Sequence, residues 1–384
     1  MTKSVPSCNI LENETLIKKD IMPKPFIPEK LPLENINWEG LLTNIVKANS
    51  AVAKFDGLLE SILNPLLFLN PLMTQEAVLS SKIEGTQASL NEVLAFEAAP
   101  KRKQNNINDI EEVINYRNAL LFATKELENR PICLNFIKDM HGILLQGVRG
   151  QNKARGEFRR IQNWIGKSNS TIETASYVPP EPHLLLEFLS DWEKYCHYDE
   201  KDKLVQLAII HAQFEIIHPF LDGNGRIGRI LIPLFLFEQK ILKYPALYVS
   251  EFFEENRQNY YDNLRAVSEK KAWYEWINYF LEAITSQAIN NTNRAKSIIQ
   301  LYEEMKHIIQ DITKSRNSLK IQDFLFSKLI FETPDFTESA GLSKPHAAKV
   351  IKSLLENKII DTVAPAQGRR PAMYSFKPLM DIVQ

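Results

Sequence analysis

The chain has 384 residues, 44% of them hydrophobic, so it can bury a sizeable core and form two or three domains. Its formal net charge of −1 excludes a molecule whose whole surface attracts nucleic acid or an anionic membrane. The three cysteines, Cys8, Cys133 and Cys196, lack CxxC spacing, which excludes a thiolate zinc site and favours a reducing compartment.

The N-terminal region, residues 1–100, is predicted to contain an irregular arm followed by helices. Five prolines lie among mixed charges in residues 1–35, whereas residues 38–99 have a helical pattern of apolar positions. The first residues carry acids and lack the apolar segment of a secretory signal. The most apolar run, residues 227–237, is too short to span a bilayer, so we expect a soluble cytoplasmic protein without a membrane partner.

The central region, residues 101–290, is predicted to be helical apart from one hairpin. Residues 105–127 and 135–146 have apolar side chains at three- and four-residue spacing, which predicts two amphipathic helices. Between Gly150 and Pro182, glycines and alternating apolar residues predict a short hairpin. Helical pattern then returns from Leu184 to about Gln310.

The C-terminal region, residues 291–384, is predicted to contain a linker helix and a winged-helix domain. Residues 319–331 and 337–341 are predicted helices, and a third begins at Ser343, with Pro345 at an early position where a missing amide costs nothing. Residues 359–363 and 373–376 have strand character and are separated by a turn. Three helices followed by two strands are typical of a winged helix.

The stretch from His218 to Arg229, HPFLDGNGRIGR, predicts an anion site. The preceding helix should end at His218, because a residue before proline is disfavoured in the α region. Gly223 and Gly225 allow close approach of a ligand to the main chain, and the next helix directs its N-terminal N–H groups at that ligand. Arg226 lies one turn before Arg229, so both can face the same anion.

The same stretch carries groups for phosphoryl or nucleotidyl transfer. Asp222 offers a hard oxygen suited to Mg²⁺ that bridges phosphates, and His218 is a base with a pKa near physiological pH. The alternative is a glycine turn between two core helices with solvated arginines. We favour the functional interpretation because a base, a metal ligand, a glycine loop and two arginines fall within twelve residues.

These residues match the motif HxFx(D/E)GNGRxxR at every defined position, so the chain resembles the Fic (filamentation induced by cAMP) domain family. Gly156–Arg159, Tyr177–Pro180 and Asn259–Tyr261 support the resemblance. It implies a mainly α fold: a Fic-type helical domain with a small β-hairpin flap, N-terminal helices and a C-terminal winged helix. It also implies a protein adenylyltransferase, an enzyme that transfers AMP from ATP to a protein.

By this resemblance, His218 would deprotonate a Ser, Thr or Tyr hydroxyl of a target protein, or of the chain itself, for attack on the α-phosphorus of ATP. Pyrophosphate would leave, and Asp222 would hold Mg²⁺. The implied ATP-binding residues are Glu84, Thr174, Ala175, Ser176, Tyr177, Asp222, Gly223, Asn224, Gly225, Arg226, Ile227, Gly228, Arg229, Tyr260 and Tyr261. Ser268 stands where related proteins commonly have asparagine.

A second motif predicts inhibition within the chain. Ser80, Glu84 and Gly85 match the inhibitory pattern (S/T)xxxE(G/N) of the same family, in a predicted helix over residues 72–85. A carboxylate in the last turn of a helix opposes the helix dipole, at a cost of roughly 0.3–1 kcal/mol. The resemblance implies that Glu84 pairs with Arg229 and denies this arginine to the γ-phosphate of ATP. The alternative is a solvated surface glutamate.

Other functions remain open from the sequence. A reverse reaction could use Glu84 to position a water that removes AMP, and the resemblance is compatible with a homodimer. A metal hydrolase would use the shared helical face of His211, Glu215 and His218, but the pattern occurs once and lacks further carboxylates. The winged helix could bind DNA, although we favour protein interaction. The basic residues for DNA would be Lys344, His346, Lys349, Lys352, Arg369 and Arg370.

Overall fold

The computed structural model describes residues 24–62, 65–102, 106–148, 150, 152–166 and 170–384. The predicted arm up to residue 23, with Cys8, lies outside the described residues. The helices are α1 (Trp38–Glu60), α2 (Pro65–Ile83), α3 (Leu90–Ala98), α4 (Ile107–Glu126), α5 (Leu134–Leu144), α6 (Leu185–Cys196), α7 (Lys203–Ile217), α8 (Asn224–Glu238), α9 (Ser250–Glu255), α10 (Arg257–Lys270), α11 (Trp273–Thr313), α12 (Ser318–Ser327), α13 (Thr333–Ser339), α14 (Lys344–Glu356) and α15 (Lys377–Val383). The strands are β1 (Ile330–Glu332), β2 (Ile360–Ala364) and β3 (Met373–Phe376).

Two helices buried on nearly all sides, α7 and α8, form the centre of the fold. Every α7 residue from Leu204 to Phe214 is buried, as is nearly every α8 residue from Arg226 to Leu236. Asp202 caps α7 by accepting the main-chain N–H groups of Leu204 and Val205. Because α7 packs on α6, α8, α10 and α11, the short connection between α7 and α8 is held by the core on several sides.

The segment that the sequence predicts to be inhibitory, residues 72–85 (the inhibitory segment below), belongs to a longer helix than the sequence predicts. α2 begins at Pro65, continues through Pro71, and ends at Ile83, so Glu84 follows the last helical residue. Gly85 has a φ of +95°, a left-handed conformation that glycine adopts without strain, and it stops the helix. α2 packs against α4, α9 and α12, which places its C-terminal end near the N-terminus of α8.

The predicted flap contains little regular strand. Among its described residues, Ile165 and Tyr177 form one antiparallel bridge, and Ile172–Thr174 is a single turn of 3₁₀ helix. The flap is therefore an irregular loop closed by a bridge, because its hydrogen bonds are mainly those of turns and side chains.

The C-terminal elements follow the order α12, β1, α13, α14, β2, β3, with a three-stranded antiparallel sheet ordered β1-β3-β2. The predicted helix over residues 319–331 was wrong at its end, because α12 stops at Ser327. Residues 330–332 form strand β1, which pairs with β3. α11 runs unbroken through residue 290 as one helix. In the described part of the chain, no helix combines the length and apolar character needed to cross a bilayer.

Candidate active site

His218 lies at the C-terminal end of α7 and has an uncommon main-chain conformation. Its φ of 50° and ψ of 61° are left-handed, as expected from a residue that must leave the helix before Pro219. Its Nδ1 lies 3.2 Å from the carbonyl of Glu215, so Nδ1 donates and Nε2 keeps a lone pair. Burial, reinforced by the charge of Arg159, lowers the pKa of His218 to about 4. The imidazole is therefore neutral near pH 7 and can accept a proton.

The connection from Phe220 to α8 is a closed loop. The Asn224 amide donates to the carbonyl of Phe220 and accepts from its N–H, both at 2.8 Å. Gly223, with a φ of +80°, directs the chain into α8, whose first turn leaves N–H groups without intrahelical acceptors. A Cβ on Gly225 would overlap Glu84 Oε1 and lie 2.9 Å from Arg229 Nη1. This helix N-terminus is therefore shaped for close approach of an anion.

Asp222 sits in this loop between two cations. Its Oδ1 lies 3.2 Å from Arg226 Nη2, and its Oδ2 lies 3.4 Å from Lys153 Nζ. The described residues contain no group of three or more His, Cys, Asp or Glu side chains arranged for a metal ion. A single, partly exposed carboxylate nevertheless fits a Mg²⁺ that takes its other oxygen ligands from substrate phosphates and water.

Arg226 is buried between carboxylates. Its Nη1 lies 3.5 Å from Glu112 Oε2 on α4, and the same oxygen accepts the hydroxyl of Thr86 at 2.8 Å. Thr86 follows the end of α2, so Glu112 connects the inhibitory segment with the first arginine of the motif. No motif in the sequence identified Glu112.

Arg229 is 1% exposed and bound by the inhibitory segment. Its Nη2 donates to Glu84 Oε1 at 2.6 Å and to the carbonyl of Ser80 at 3.0 Å, while its Nε donates to Ser80 Oγ at 2.8 Å. Burial alone would disfavour the charges, but their mutual attraction lowers the pKa of Glu84 and raises that of Arg229. Ser80 and Glu84, predicted together from one motif, meet Arg229 across about 150 residues of sequence.

A cavity of about 1030 Å³ opens beside these groups. Its walls include Glu84, His218, Gly225 and Arg229 of the two motifs; Thr174, Ser176 and Tyr177 of the flap; and Tyr260, Tyr261 and Ser268 of α10. In the flap, Tyr177 is fixed by a hydrogen bond from its hydroxyl to the carbonyl of Ile216 (2.8 Å). The structure thus brings His218, the start of α8, the flap and Glu84 to one cavity large enough for a nucleotide.

Some predicted ligand residues, among them Ile227 and Ala175, do not line the cavity, and Tyr260 lines it but is also bonded inside the core. The side chain of Ile227 lies in the core, and Ala175 is not among the described cavity-lining residues. Tyr260 is 1% exposed, and its hydroxyl donates to His211 Nε2 at 2.9 Å, since Nδ1 of that histidine donates to the carbonyl of Gly228. With both ring nitrogens bonded inside the core, His211 is occupied, which argues against the metal-hydrolase alternative.

Two titratable groups lie beside the motif: His141, which the sequence did not single out, and Glu215, which the sequence offered only as part of a metal-hydrolase face. His141 accepts the N–H of Gly156 at Nδ1 (2.9 Å) and therefore donates from Nε2 to the carbonyl of Asp222 (3.0 Å). Glu215 lines the cavity, and its Oε1 is buried without a hydrogen-bond partner among the described residues. Their only sequence signal is an ionisable residue on an apolar helix face.

Comparison with protein families matches two parts of the chain. Residues 42–125 match the model for the Fic/DOC family N-terminal region, and residues 131–236 match the model for the Fic/DOC family. The second match contains the anion loop and His218, and the first contains the inhibitory segment. The two matched regions therefore contain Glu84 and its partner Arg229, which lie on opposite sides of the ion pair in the cavity.

Individual relatives agree with these matches. "Probable protein adenylyltransferase aq_aa38" of Aquifex aeolicus is 26% identical over 278 residues, 70% of this chain and 75% of that protein. "Protein adenylyltransferase fic-1" of Caenorhabditis briggsae is 29% identical over 161 residues, 40% of this chain. The match covers only 30% of the Caenorhabditis protein, and 34% of the Fic protein of Drosophila grimshawi.

Solved structures share the fold at low sequence identity. A Fic family protein from Desulfovibrio desulfuricans G20 superposes with a TM-score of 0.57 at 18% identity, covering 92% of this chain and 98% of that one. Fic-1 (residues 134–508) from C. elegans superposes with a TM-score of 0.51 at 22% identity, covering 68% of this chain and 73% of that one. The first likeness extends over nearly all of both chains.

Proposed function

The chain belongs to the Fic/DOC family, and on that premise we propose that it is a protein adenylyltransferase that moves AMP from ATP to a hydroxyl of a protein. The observation that carries the proposal is the neutral His218 with an acceptor nitrogen, in the same cavity as the glycine-lined N-terminus of α8. A base beside an anion site is what nucleotidyl transfer to a hydroxyl needs.

In the proposed reaction, His218 Nε2 takes the proton of the target hydroxyl as its oxygen attacks the α-phosphorus. The new oxygen–phosphorus bond forms while the bond to the β-phosphate oxygen breaks, and pyrophosphate leaves. N–H groups at the start of α8 would bind the α-phosphate, and Arg226 and Arg229 the outer phosphates. Mg²⁺, held by Asp222 when bound, would neutralise phosphate charge. Ser, Thr and Tyr are all proposed acceptors.

The first test is His218→Ala, assayed by transfer of labelled AMP from ATP to the chain itself or to a lysate. We expect transfer to stop while the affinity for ATP stays within a few-fold, because the imidazole acts on the proton and does not bind phosphate. Titration calorimetry measures that affinity. AMP transfer by His218→Ala at the parental rate would refute the proposed chemistry.

We further propose that the described conformation is autoinhibited. Arg229 has both Ser80 and Glu84 as partners, so its guanidinium is already neutralised and hydrogen-bonded on the cavity side. A γ-phosphate would have to displace the Glu84 carboxylate to reach it. If the same cavity instead removes AMP from a modified protein, Glu84→Gly should slow that removal, so assays in both directions distinguish the two activities.

A second candidate function, binding of duplex DNA, is favoured by one surface. The C-terminal topology agrees with a winged-helix interpretation. The exposed side of α14 carries basic side chains, and α14 has no acidic residue before Glu356. The exposed basic residues are Lys344, His346, Lys349 and Lys352 on α14, with Arg369 and Arg370 in the turn between β2 and β3. In a winged helix, such residues would lie on the recognition helix and in the wing.

Fluorescence anisotropy with a random duplex tests this candidate. Binding should weaken steeply with salt and be lost when Lys349→Glu and Lys352→Glu are combined. The matched control combines Lys47→Glu and Lys54→Glu, two exposed lysines of α1. Equal loss in the control would show that only net charge matters, and no binding at low salt would leave protein interaction as the role of this region.

A further inference from the structure

The segment Gly156–Arg159 places an arginine, Arg159, against the main chain of His218. Arg159 Nε donates to the carbonyl of His218 at 2.9 Å, and its Nη2 donates to the carbonyls of Pro180 (2.6 Å) and Ile217 (3.3 Å). Its own main-chain N–H donates to the carbonyl of Pro219 at 2.9 Å. One residue therefore binds the chain on both sides of His218 and ties it to the end of the flap.

This arginine is a costly residue to bury. Arg159 is 2% exposed, and no carboxylate in the described part of the chain forms an ion pair with it. Its Nη1 is also buried without a hydrogen-bond partner among the described residues, and burial lowers the pKa of Arg159 to about 10. An unpaired buried donor lowers stability, because it has given up its hydrogen bonds to water. A residue that works against stability in this way points to a role in the site.

The acceptors of Arg159 explain what that role is. The last carbonyls of a helix lack intrahelical donors and form the negative end of its dipole, which a buried guanidinium can satisfy. His218 is also held in a left-handed conformation, which is strained for a residue with a Cβ and persists only where surrounding contacts fix it. By binding the carbonyls of Ile217 and His218, Arg159 fixes the turn that aims the imidazole into the cavity.

The charge of Arg159 acts on the same imidazole. Burial is the larger cause of the lowered pKa of His218, and Arg159 lowers it further, whereas Glu84 and Asp222 act in the opposite direction. The other charged or titratable groups around the same cavity are Tyr177 of the flap, Glu215 on α7, Arg229 on α8, and Tyr260, Tyr261 and Arg265 on α10. Arg159 differs from the two arginines among them in binding the main chain of His218 itself.

We propose that Arg159 is a positioning residue for AMP transfer, acting on His218 through the main-chain carbonyls that it binds. This inference rests on the proposed function of His218 as the base. Arg159 is separate from the phosphate-binding arginines, because its guanidinium is engaged with carbonyls on the flap side of His218. Its loss should therefore slow the chemical step and leave nucleotide binding in place.

The test compares Arg159→Lys and Arg159→Met in the full chain carrying Glu84→Gly, with the exposed neighbour Arg160→Met as the matched control. Calorimetry gives the Kd for ATP, and transfer of labelled AMP gives kcat across pH. We expect Arg159→Met to lower kcat at least about tenfold, since small misplacements of a catalytic group cost up to about a hundredfold. Its Kd for ATP should stay within about threefold of the control, a difference below 1 kcal/mol.

The pH profile separates position from charge. In Arg159→Met, the acid limb of kcat should move to higher pH, because His218 becomes easier to protonate once the nearby positive charge is gone. Arg159→Lys keeps a positive charge but loses the planar fork, so it should lower kcat without moving that limb. A purely structural role predicts no such difference between the two variants.

The outcomes separate this inference from the proposed function. If His218→Ala in the same background still transfers AMP, the proposed function fails. If His218→Ala is inactive but Arg159→Met keeps the kcat of Arg160→Met, the inference alone is overturned. If Arg159→Met does not fold, Arg159→Lys decides: a reduced kcat with unchanged Kd for ATP supports the inference, and full kcat overturns it.

Discussion

His218 and Glu215 lie three residues apart at the end of α7, and burial acts on them in opposite directions. It lowers the pKa of the imidazole to about 4 and raises that of the Glu215 carboxyl to about 8. Both groups are therefore neutral near pH 7, one as a base and the other as an acid. Gly228 makes room for Glu215, because a Cβ there would overlap Glu215 Oε1.

Glu215→Gln should stabilise the chain more at high pH than at low pH. The folded pKa of about 8 lies above the unfolded value near 4.3, so the folded chain keeps a proton that the unfolded chain releases. Stability from this group is present below pH 4.3 or so and is lost as pH rises to about 8. The gain in Tm over the parent should therefore be larger at about pH 9 than at about pH 4.

The control for this comparison is Glu187→Gln, which changes an exposed glutamate of α6. Its Tm difference from the parent should vary little with pH, because its carboxyl is solvated in both states. Equal Tm differences for Glu215→Gln at both pH values would mean that the Glu215 carboxyl ionises normally in the folded chain.

At the scale of elements, two sets of contacts fix the position of α2 relative to the site. Near its middle, Glu76 accepts from the hydroxyls of Tyr116 on α4 (3.0 Å) and Ser250 on α9 (2.6 Å). At its end, Ser80 and Glu84 bind Arg229. The first contact fixes where the helix lies, and the second occupies the arginine. Removing the second alone should therefore free the site without displacing α2.

Glu84→Gly should increase AMP transfer to the chain or its target more than tenfold. Arg229 is buried but about a third of the Glu84 side chain is exposed, so the pair resembles a charge-assisted hydrogen bond of roughly 1.5–3 kcal/mol, which is still larger than the 1.4 kcal/mol of one tenfold step. The rate is measured at saturating ATP, with Glu60→Gly at the end of α1 as a control for losing an exposed glutamate. An unchanged rate in a folded Glu84→Gly chain would contradict autoinhibition and leave the family assignment intact.

The double change Glu84→Gly with Arg229→Ala tests the route of this effect. If Glu84 acts by occupying the guanidinium, removing Arg229 as well should abolish most of the gain, a strongly non-additive result. Retention of the full gain would place the effect of Glu84 elsewhere in the cavity.

At the scale of the whole molecule, the C-terminal elements pack on the N-terminal helices. α12 and α15 contact α2, and β1 contacts α3. Arg102, after α3, donates from Nε (3.1 Å) and Nη2 (2.8 Å) to Glu332 Oε1 in β1 and also binds the carbonyl of Pro371. The helix that ends directly before Glu84, α2, is therefore in direct contact with the C-terminal region.

Arg102→Met should lower the free energy of unfolding by roughly 1–3 kcal/mol, since the partly buried pair with Glu332 is also bonded to main chain. Urea unfolding of Arg102→Met, Glu332→Gln and the double variant gives their coupling. We expect the double variant to be less destabilised than the sum of the singles. Strict additivity would mean that the two side chains do not interact in solution.

Much of the catalytic loop was determined by the sequence itself. Pro219 predicts the helix end at His218, the glycines predict the turn, and the spacing of Arg226 and Arg229 predicts that both are near it. These rules are local: a proline ring, a missing Cβ or one helical turn acts within a few residues, whatever the rest of the chain does.

Only the tertiary structure decided which distant groups act together and in which charge state. The predicted helix over residues 319–331 ends at Ser327 and is followed by strand β1, because β3 supplies the partner of β1 from more than forty residues away. Arg159 reaches the carbonyl of His218, and burial keeps the imidazole neutral, only because separate segments pack around α7. Burial and long-range contact are properties of the folded chain as a whole, so neither can be read from the residues next to His218.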